Sequence, residues 1–201
     1  MYVKINHFTN SLTLIHNDNV VSNICNIRKK EIIEITGKPA SGKSLLCELY
    51  IQNLINNYKC CLISSNGINI LKYQEKKIDV DIILFNNLML DKNNFILLFE
   101  YLNSKYDVLF FDNITYYKEL FTEYFYMLYN TTIFYVTDIR FNLNFNRSLY
   151  KSTSTTPLLL LTKHRILCEK VHDFQNKIEF QFTDLLACDE KVTKYNIKKE
   201  I

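Results

Sequence analysis

Glycine is the residue that lets a backbone enter conformations a Cβ would block, and this 201-residue chain has only three. Two of them, Gly37 and Gly42, stand five positions apart in the stretch "ITGKPASGKS". Before them lies the β-branched run "EIIEIT" (31–36). After them, from Ser44, come Leu45, Leu46, Leu49, Leu54 and Ile55 at helical spacing, fading into the polar "NNYK". A strand, a glycine-bounded loop and a helix start in that order match G-x-x-x-x-G-K-[ST], here Gly37-Lys38-Pro39-Ala40-Ser41-Gly42-Lys43-Ser44, with Leu45 opening the helix. Backbone N–H groups of such a loop wrap a polyphosphate, and the helix adds the positive end of its dipole. Lys43 is the candidate for neutralising β- and γ-phosphate charge, and the Ser44 hydroxyl is a candidate magnesium ligand. The expected cofactors are ATP and Mg2+.

The remaining elements alternate. "CCLISS" (60–65) and "VDIILF" (80–85) read as buried strands, the first closed by the turn pair Asn66-Gly67, and "YDVLFFD" (106–112) and "TIFYVTD" (132–138) as further strands. Helices are expected around Phe95, Ile96, Phe99 and Leu102, and around Leu120, Tyr124 and Leu128. Two further β-prone segments, "PLLLLTKHRILCEK" and "NKIEFQF", are expected to pair antiparallel at one edge. Strands alternating with helices predict an α/β fold, a mostly parallel sheet flanked by helices with antiparallel C-terminal edge strands. Length fits one domain over 1–201, with a lead-in at 1–20 and a frayed or helical tail at 183–201.

Composition narrows the function classes. Asn, Lys, Ile, Tyr and Phe are abundant while Gly, Pro and Trp are scarce, a bias in keeping with an AT-rich genome, so the abundance of Asn or Lys is not chemistry. A net charge of +3 does not by itself announce a nucleic-acid binder. The six cysteines show no C-x-x-C pairing and read as reduced core thiols. No apolar run approaches the roughly 20 residues needed to span a bilayer. A soluble intracellular protein without membrane partners is expected.

A phosphate loop needs a carboxylate to complete the magnesium shell, and Asp112 ends a hydrophobic strand 70 residues after Gly42. An ordinary strand-terminal Asp in a turn is the plainer alternative. From about residue 20 to residue 182 the chain resembles the ATPase core of the RecA-type strand-exchange recombinases, most of all their eukaryotic paralogs. The resemblance is carried by "IRKKEIIEITGKPASGKSLLCELYIQNL", "CCLISSNG", "YDVLFFDNI", "IFYVTDIR" and "TKHRILCEK". It implies a RecA-like core that binds ATP and assists homologous recombination and DNA repair as a subunit of a complex in the nucleus. The implied partners are other recombinase paralogs, the recombinase filament or single-stranded DNA.

Departures from the family pattern modify that picture. Active recombinases place a water-polarising glutamate where this chain has Asn66, and an amide is no general base. The paralog branch lettered D is similar, with Ser-Asn-Gly at the same place. A weak DNA-dependent ATPase at most is therefore implied, though Asn66-Gly67 also reads simply as a tight turn. The family's Asn-Gln sensor pair is here Thr137-Asp138, and an ionised Asp138 cannot donate to a γ-phosphate.

Ile139 to Arg165 contains no acid, and its start falls where the resemblance places the second DNA-binding loop. Arg140, Arg147 and Lys151 alternate there with Phe145 and Tyr150, a mixture that suits a single strand through phosphate pairing and base stacking. A solvated loop anchored by aromatics is the alternative. Two other functions fit the same phosphate loop. One is a kinase of a small acceptor, with Arg140 or Arg147 over the γ-phosphate. The other is a catalytically retired scaffold in which nucleotide only joins subunits. His164 and Arg165 are expected on the edge strand, with a structural or surface role for His164.

Overall fold

The structure, a computed structural model, describes residues 2–6, 11–16, 19–22, 27–64, 73–85, 92–114, 117–141, 150–174, 177–187 and 192–198. In the segment expected as a lead-in, β1 (Tyr2–Asn6), β2 (Ser11–His16) and β3 (Asn19–Ser22) form a three-stranded antiparallel sheet. The main sheet follows, with β4 (Ile32–Gly37), β5 (Cys60–Ser64), β6 (Asp81–Leu84), β7 (Val108–Asp112), β8 (Thr132–Phe141), β9 (Tyr150–Ser152), β10 (His164–Phe174), β11 (Lys177–Asp184) and β12 (Val192–Lys198). Its order is β12-β11-β10-β4-β8-β7-β5-β6, with β9 paired to the end of β8. From β10 to β6 all neighbours run parallel, whereas β11 and β12 continue antiparallel beyond β10. Helices among the described residues include α1 (Lys43–Leu54), α2 (Lys92–Lys105), α3 (Lys118–Tyr124) with a 3-10 turn at Phe125–Leu128, and α4 (Thr156–Leu161).

Strand residues alternate between two cores, as the pleat dictates. Ile33, Ile35, Phe110, Phe134, Val136 and Ile166 face α1, whose Leu46, Leu49, Tyr50 and Ile51 fill the space between. Leu109, Phe111, Ile133 and Tyr135 face the other way, toward Phe95, Phe99 and Leu102 of α2 and Phe121 of α3. Aromatic rings lock both layers: Phe110 stacks on Phe134 with centroids 4.6 Å apart, and Phe111 meets Phe121 edge-on at 4.7 Å. Cys47, Cys60, Cys61 and Cys168 are buried free thiols, and burial pushes those of Cys60 and Cys61 up to about 12. They behave as the small core hydrophobes expected of them.

Three expectations are corrected. "PLLLL" is helical: Pro157 sits in the first turn of α4, where its missing N–H costs nothing, and Thr162 ends the helix by returning its hydroxyl to Leu158 O at 2.8 Å. Only Leu158 of that run is fully buried, so length and periodicity could not separate a helix from a strand there. The second correction concerns β6, which reads as a buried strand but is the sheet edge, with Asp81 and Leu84 exposed. Asp81 is held by Tyr106 (2.7 Å) and Lys105 (3.2 Å), charged cover of the kind that blunts an edge. Finally, the segment 183–201, expected to fray or be helical, contributes β12, paired to β11 from Thr183↔Val192 to Lys177↔Lys198.

A charged residue lies inside the parallel part of this apolar sheet. Glu34 of β4 is fully buried and faces away from α1's side of the sheet. Its Oε2 accepts Arg165 Nε from β10 at 2.6 Å, and its Oε1 accepts Thr137 Oγ1 from β8 at 2.7 Å and Ser154 Oγ at 2.9 Å. Removing the arginine would strand a buried carboxylate. Arg165→Leu should therefore destabilise the protein by about 3 kcal/mol in urea unfolding, and the double change Arg165→Leu, Glu34→Gln should recover more than half of that loss. Equal loss in single and double variants would show that the pair is not a charge-balanced unit.

Candidate nucleotide-binding site

The end of β4 turns into the loop 38–42 and then directly into α1. Gly42 is the N-cap of α1 at φ 96°, ψ 10°, left-handed backbone that resists a side chain. No side chain caps the helix and no acid occupies its first turn. The first helical amide to find a carbonyl is Leu46 N, bonded to Gly42 O at 2.9 Å. Helix geometry thus leaves the Lys43, Ser44 and Leu45 amides directed into the loop, the arrangement that receives an anion.

The two glycines serve different needs. A Cβ on Gly42 would lie 2.7 Å from Phe180 Cδ1 of β11, in addition to the backbone strain. Gly37 has no such strain; a Cβ there would meet the Cys168 carbonyl oxygen of β10 at 2.5 Å and collide with Ser41 Oγ. Gly37 therefore answers to close packing and Gly42 to both packing and backbone shape. The Ser41 hydroxyl is buried over Gly37 without a hydrogen-bond partner among the described residues, and Ser41 N closes the loop on Lys38 O at 3.2 Å. Ala40, at φ 60°, adds a second left-handed residue to the loop.

Lys43 is the part-buried cation of the site. Its Nζ donates to Gly37 O at 2.9 Å and Lys38 O at 2.7 Å and pairs with Asp138 Oδ1 at 3.1 Å. Three acceptors match the three protons of an ammonium. Asp138 arrives there because β8 lies in register with β4, Gly37 opposite Asp138. Its neighbour Thr137 turns the other way, donating to Glu34 and lying 3.0 Å from Thr36 Oγ1 inside the sheet. Of the two residues at the sensor positions, only Asp138 faces the loop.

Asp112 is the last residue of β7, two strand spacings or about 10 Å from β4 across β8. Ser64 Oγ of β5 donates to its Oδ2 at 3.3 Å, and Asn113 takes φ 58° immediately after it, so the chain turns away. Its charge, second to burial, raises the buried Tyr117 hydroxyl above the usual tyrosine range. Ser44 is exposed at the start of α1. Among the described residues no three His, Cys, Asp or Glu side chains gather into a metal site. One hydroxyl and one carboxylate completed by phosphate oxygens and water suit magnesium, which rarely takes an all-protein cage.

The acid-free stretch is an extension of the sheet at its root. Beyond Asp138, β8 continues through Arg140 and pairs antiparallel with β9, Arg140 opposite Lys151 and Phe141 opposite Tyr150, and Thr153 N bonds Asp138 O at 3.1 Å. Phe145 and Arg147 lie outside the described residues, as does Asn66. Arg165 is engaged by Glu34, and His164 Nδ1 pairs with the buried Asp184 at 2.7 Å, a structural role as expected; β10, which carries both and was expected at the sheet edge, lies instead between β4 and β11. Sequence reading missed Glu34 and Phe180. The signal for Glu34 was present, a lone acid inside "IIEIT"; Phe180 had none.

The sequence matches no protein-family model and no curated protein. Among solved structures, the flagellar accessory protein FlaH of Methanocaldococcus jannaschii is similar with a TM-score of 0.57 at 14% identity, covering 88% of this chain and 92% of that one. A KaiC-like protein of Pyrococcus horikoshii is similar with a TM-score of 0.56 at 12% identity, covering 88% of each chain. The fold is that of the RecA-like P-loop ATPases. These archaeal neighbours share that fold and do not single out the eukaryotic recombinase paralogs.

Gly42→Ala and Gly37→Ala should each lower stability by about 1–3 kcal/mol in thermal unfolding. Adding Phe180→Leu should restore part of the Gly42→Ala loss by relieving the ring contact. Trimming Ser41 to glycine should leave most of the Gly37→Ala loss in place, because the remaining obstacle is the Cys168 carbonyl. Full rescue in the second case would mean that Gly37 is not packed against backbone.

Proposed function

We propose that this chain binds a magnesium nucleoside triphosphate in the cradle Gly37–Leu45 and turns it over slowly. The observation that carries this is the start of α1: an uncapped, acid-free helix N-terminus behind a left-handed Gly42, with Lys43 folded back into the loop. The amides of Lys43, Ser44 and Leu45 would hold phosphate oxygens, and Lys43 would move from its carbonyl partners onto them. Ser44 and Asp112 would hold the magnesium ion. Bound magnesium would supply charge compensation on the transferred phosphoryl group. Slow turnover is supported by the amide at Asn66, which offers no base for the attacking water.

The finer form of the proposal is a recombinase paralog: a nuclear subunit that assists homologous recombination and DNA repair beside other paralogs or the recombinase filament. It is supported by the family-like blocks around Gly37, Asp112 and Thr137, and by a hairpin that pairs Arg140 with Lys151 two residues beyond Asp138. Arg140, Phe145, Arg147, Tyr150 and Lys151 would then meet single-stranded DNA. Among the described residues no helix is long and apolar enough to cross a membrane.

Titration calorimetry should detect Mg-ATP binding, weakened at least about tenfold by Lys43→Ala. Hydrolysis should be slow, and single-stranded DNA should raise it only if the hairpin contacts the strand. In fluorescence anisotropy, Arg140→Glu with Lys151→Glu should weaken binding to single-stranded DNA and flatten its salt dependence by about 1.4 in log–log slope, the share of two phosphate contacts. Mg-ATP binding indifferent to Lys43 would overturn the first proposal; DNA binding indifferent to the hairpin charges would overturn the second.

A further inference from the structure

The carboxylate of Asp138 is the feature that ordinary phosphate-loop chemistry leaves unexplained. It approaches Lys43 Nζ to 3.1 Å from the strand beside the loop, and its side chain keeps 42% of its exposure while that of Lys43 keeps 12%. The loop's amides wrap the inner phosphates, and its lysine reaches the outer two. Magnesium held by Ser44 and Asp112 would compensate the charge of the outer phosphates. With Ser44 at the start of α1 and Asp112 two strands away, the path from the cradle to Asp112 passes over the C-terminal end of β8. The residue of β8 level with Gly37 is Asp138. A terminal phosphate on that path meets a negative carboxylate that already shares its lysine, whereas the inner phosphates sit behind the loop's amides.

Resting on the nucleotide-binding reading above, we propose that Asp138 is a specificity-determining residue that selects against the γ-phosphate, so that the site favours nucleoside diphosphate over free triphosphate. The mechanism is direct. A phosphate oxygen within hydrogen-bonding reach of Lys43 stands about 5–6 Å from Asp138, where two like charges at a protein surface repel appreciably. Discounting for the exposure of Asp138, the expected discrimination is about tenfold. Magnesium, by neutralising the γ-oxygens, reduces it. The site would thus hold a diphosphate by default and a triphosphate only as its magnesium complex.

The test is calorimetric titration of the full chain with ADP and with a non-hydrolysable ATP analogue, each with magnesium and with EDTA. Asp138→Asn is compared with wild type, and Asp138→Ser serves as a second variant should the first fail to fold. Wild type should bind ADP about tenfold more tightly than the analogue in EDTA, with a smaller gap in magnesium. Both variants should close the gap, chiefly by gaining affinity for the analogue. Lys43-dependent binding of both nucleotides with a ratio that Asp138→Asn and Asp138→Ser leave unchanged would overturn the role of Asp138 alone. Binding of neither nucleotide by wild type and variants would overturn the cradle itself, and this inference with it.

Discussion

The position of β4 between β8 and β10 is the constraint from which the site follows, and one buried carboxylate holds it. Glu34 accepts from Thr137 on one neighbouring strand and from Arg165 on the other, so a single side chain ties three strands together. Side chains alternate along a strand, and a slip of one residue would carry Glu34 into the apolar face beneath α1. With that register fixed, Gly37 lies level with Asp138 on one side and Cys168 on the other. The phosphate loop, its lysine and the acid beside it are consequences of where β4 stops.

The same geometry makes the end of β8 a junction. Within a few residues this strand supplies Thr137 to the interior network, Asp138 to Lys43, and Arg140 to the hairpin with β9. The root of the hairpin is fastened to Asp138 through its own carbonyl, which accepts Thr153 N. Whatever displaces the Asp138 side chain acts on a residue whose backbone already belongs to the hairpin.

Much of this was legible beforehand, for identifiable reasons. The cradle was readable because glycine is rare enough here for two nearby copies to carry meaning. The central strands were readable because they are apolar runs punctuated by turns. α4 was not, since four leucines with one buried member carry no period, and β12 was not, since its polar residues pair at an edge where sequence pattern is weak. Asp138 was recognised as an acid in an amide's place, yet its pairing with Lys43 depends on register between strands 101 residues apart in sequence. Phe180 closes over Gly42 from β11, a contact that no local signal announces.

The scarcity of glycine also reveals how the fold distributes backbone strain. Lys30, Ala40, Lys77 and Asn113 all hold left-handed φ angles between 52° and 65°, the conformation in which glycine would rest most easily. A genome whose base composition drifts away from glycine codons can load such turns with lysine or asparagine at a cost of about 1–2 kcal/mol each. It can do so only where the side chain has open space or a useful bond; Lys30, for instance, donates its Nζ to Asn130 Oδ1 at 3.0 Å. At Gly37 and Gly42 a neighbouring carbonyl and a neighbouring ring remove that freedom. Gly37 and Gly42 are glycines that other atoms leave no room to replace.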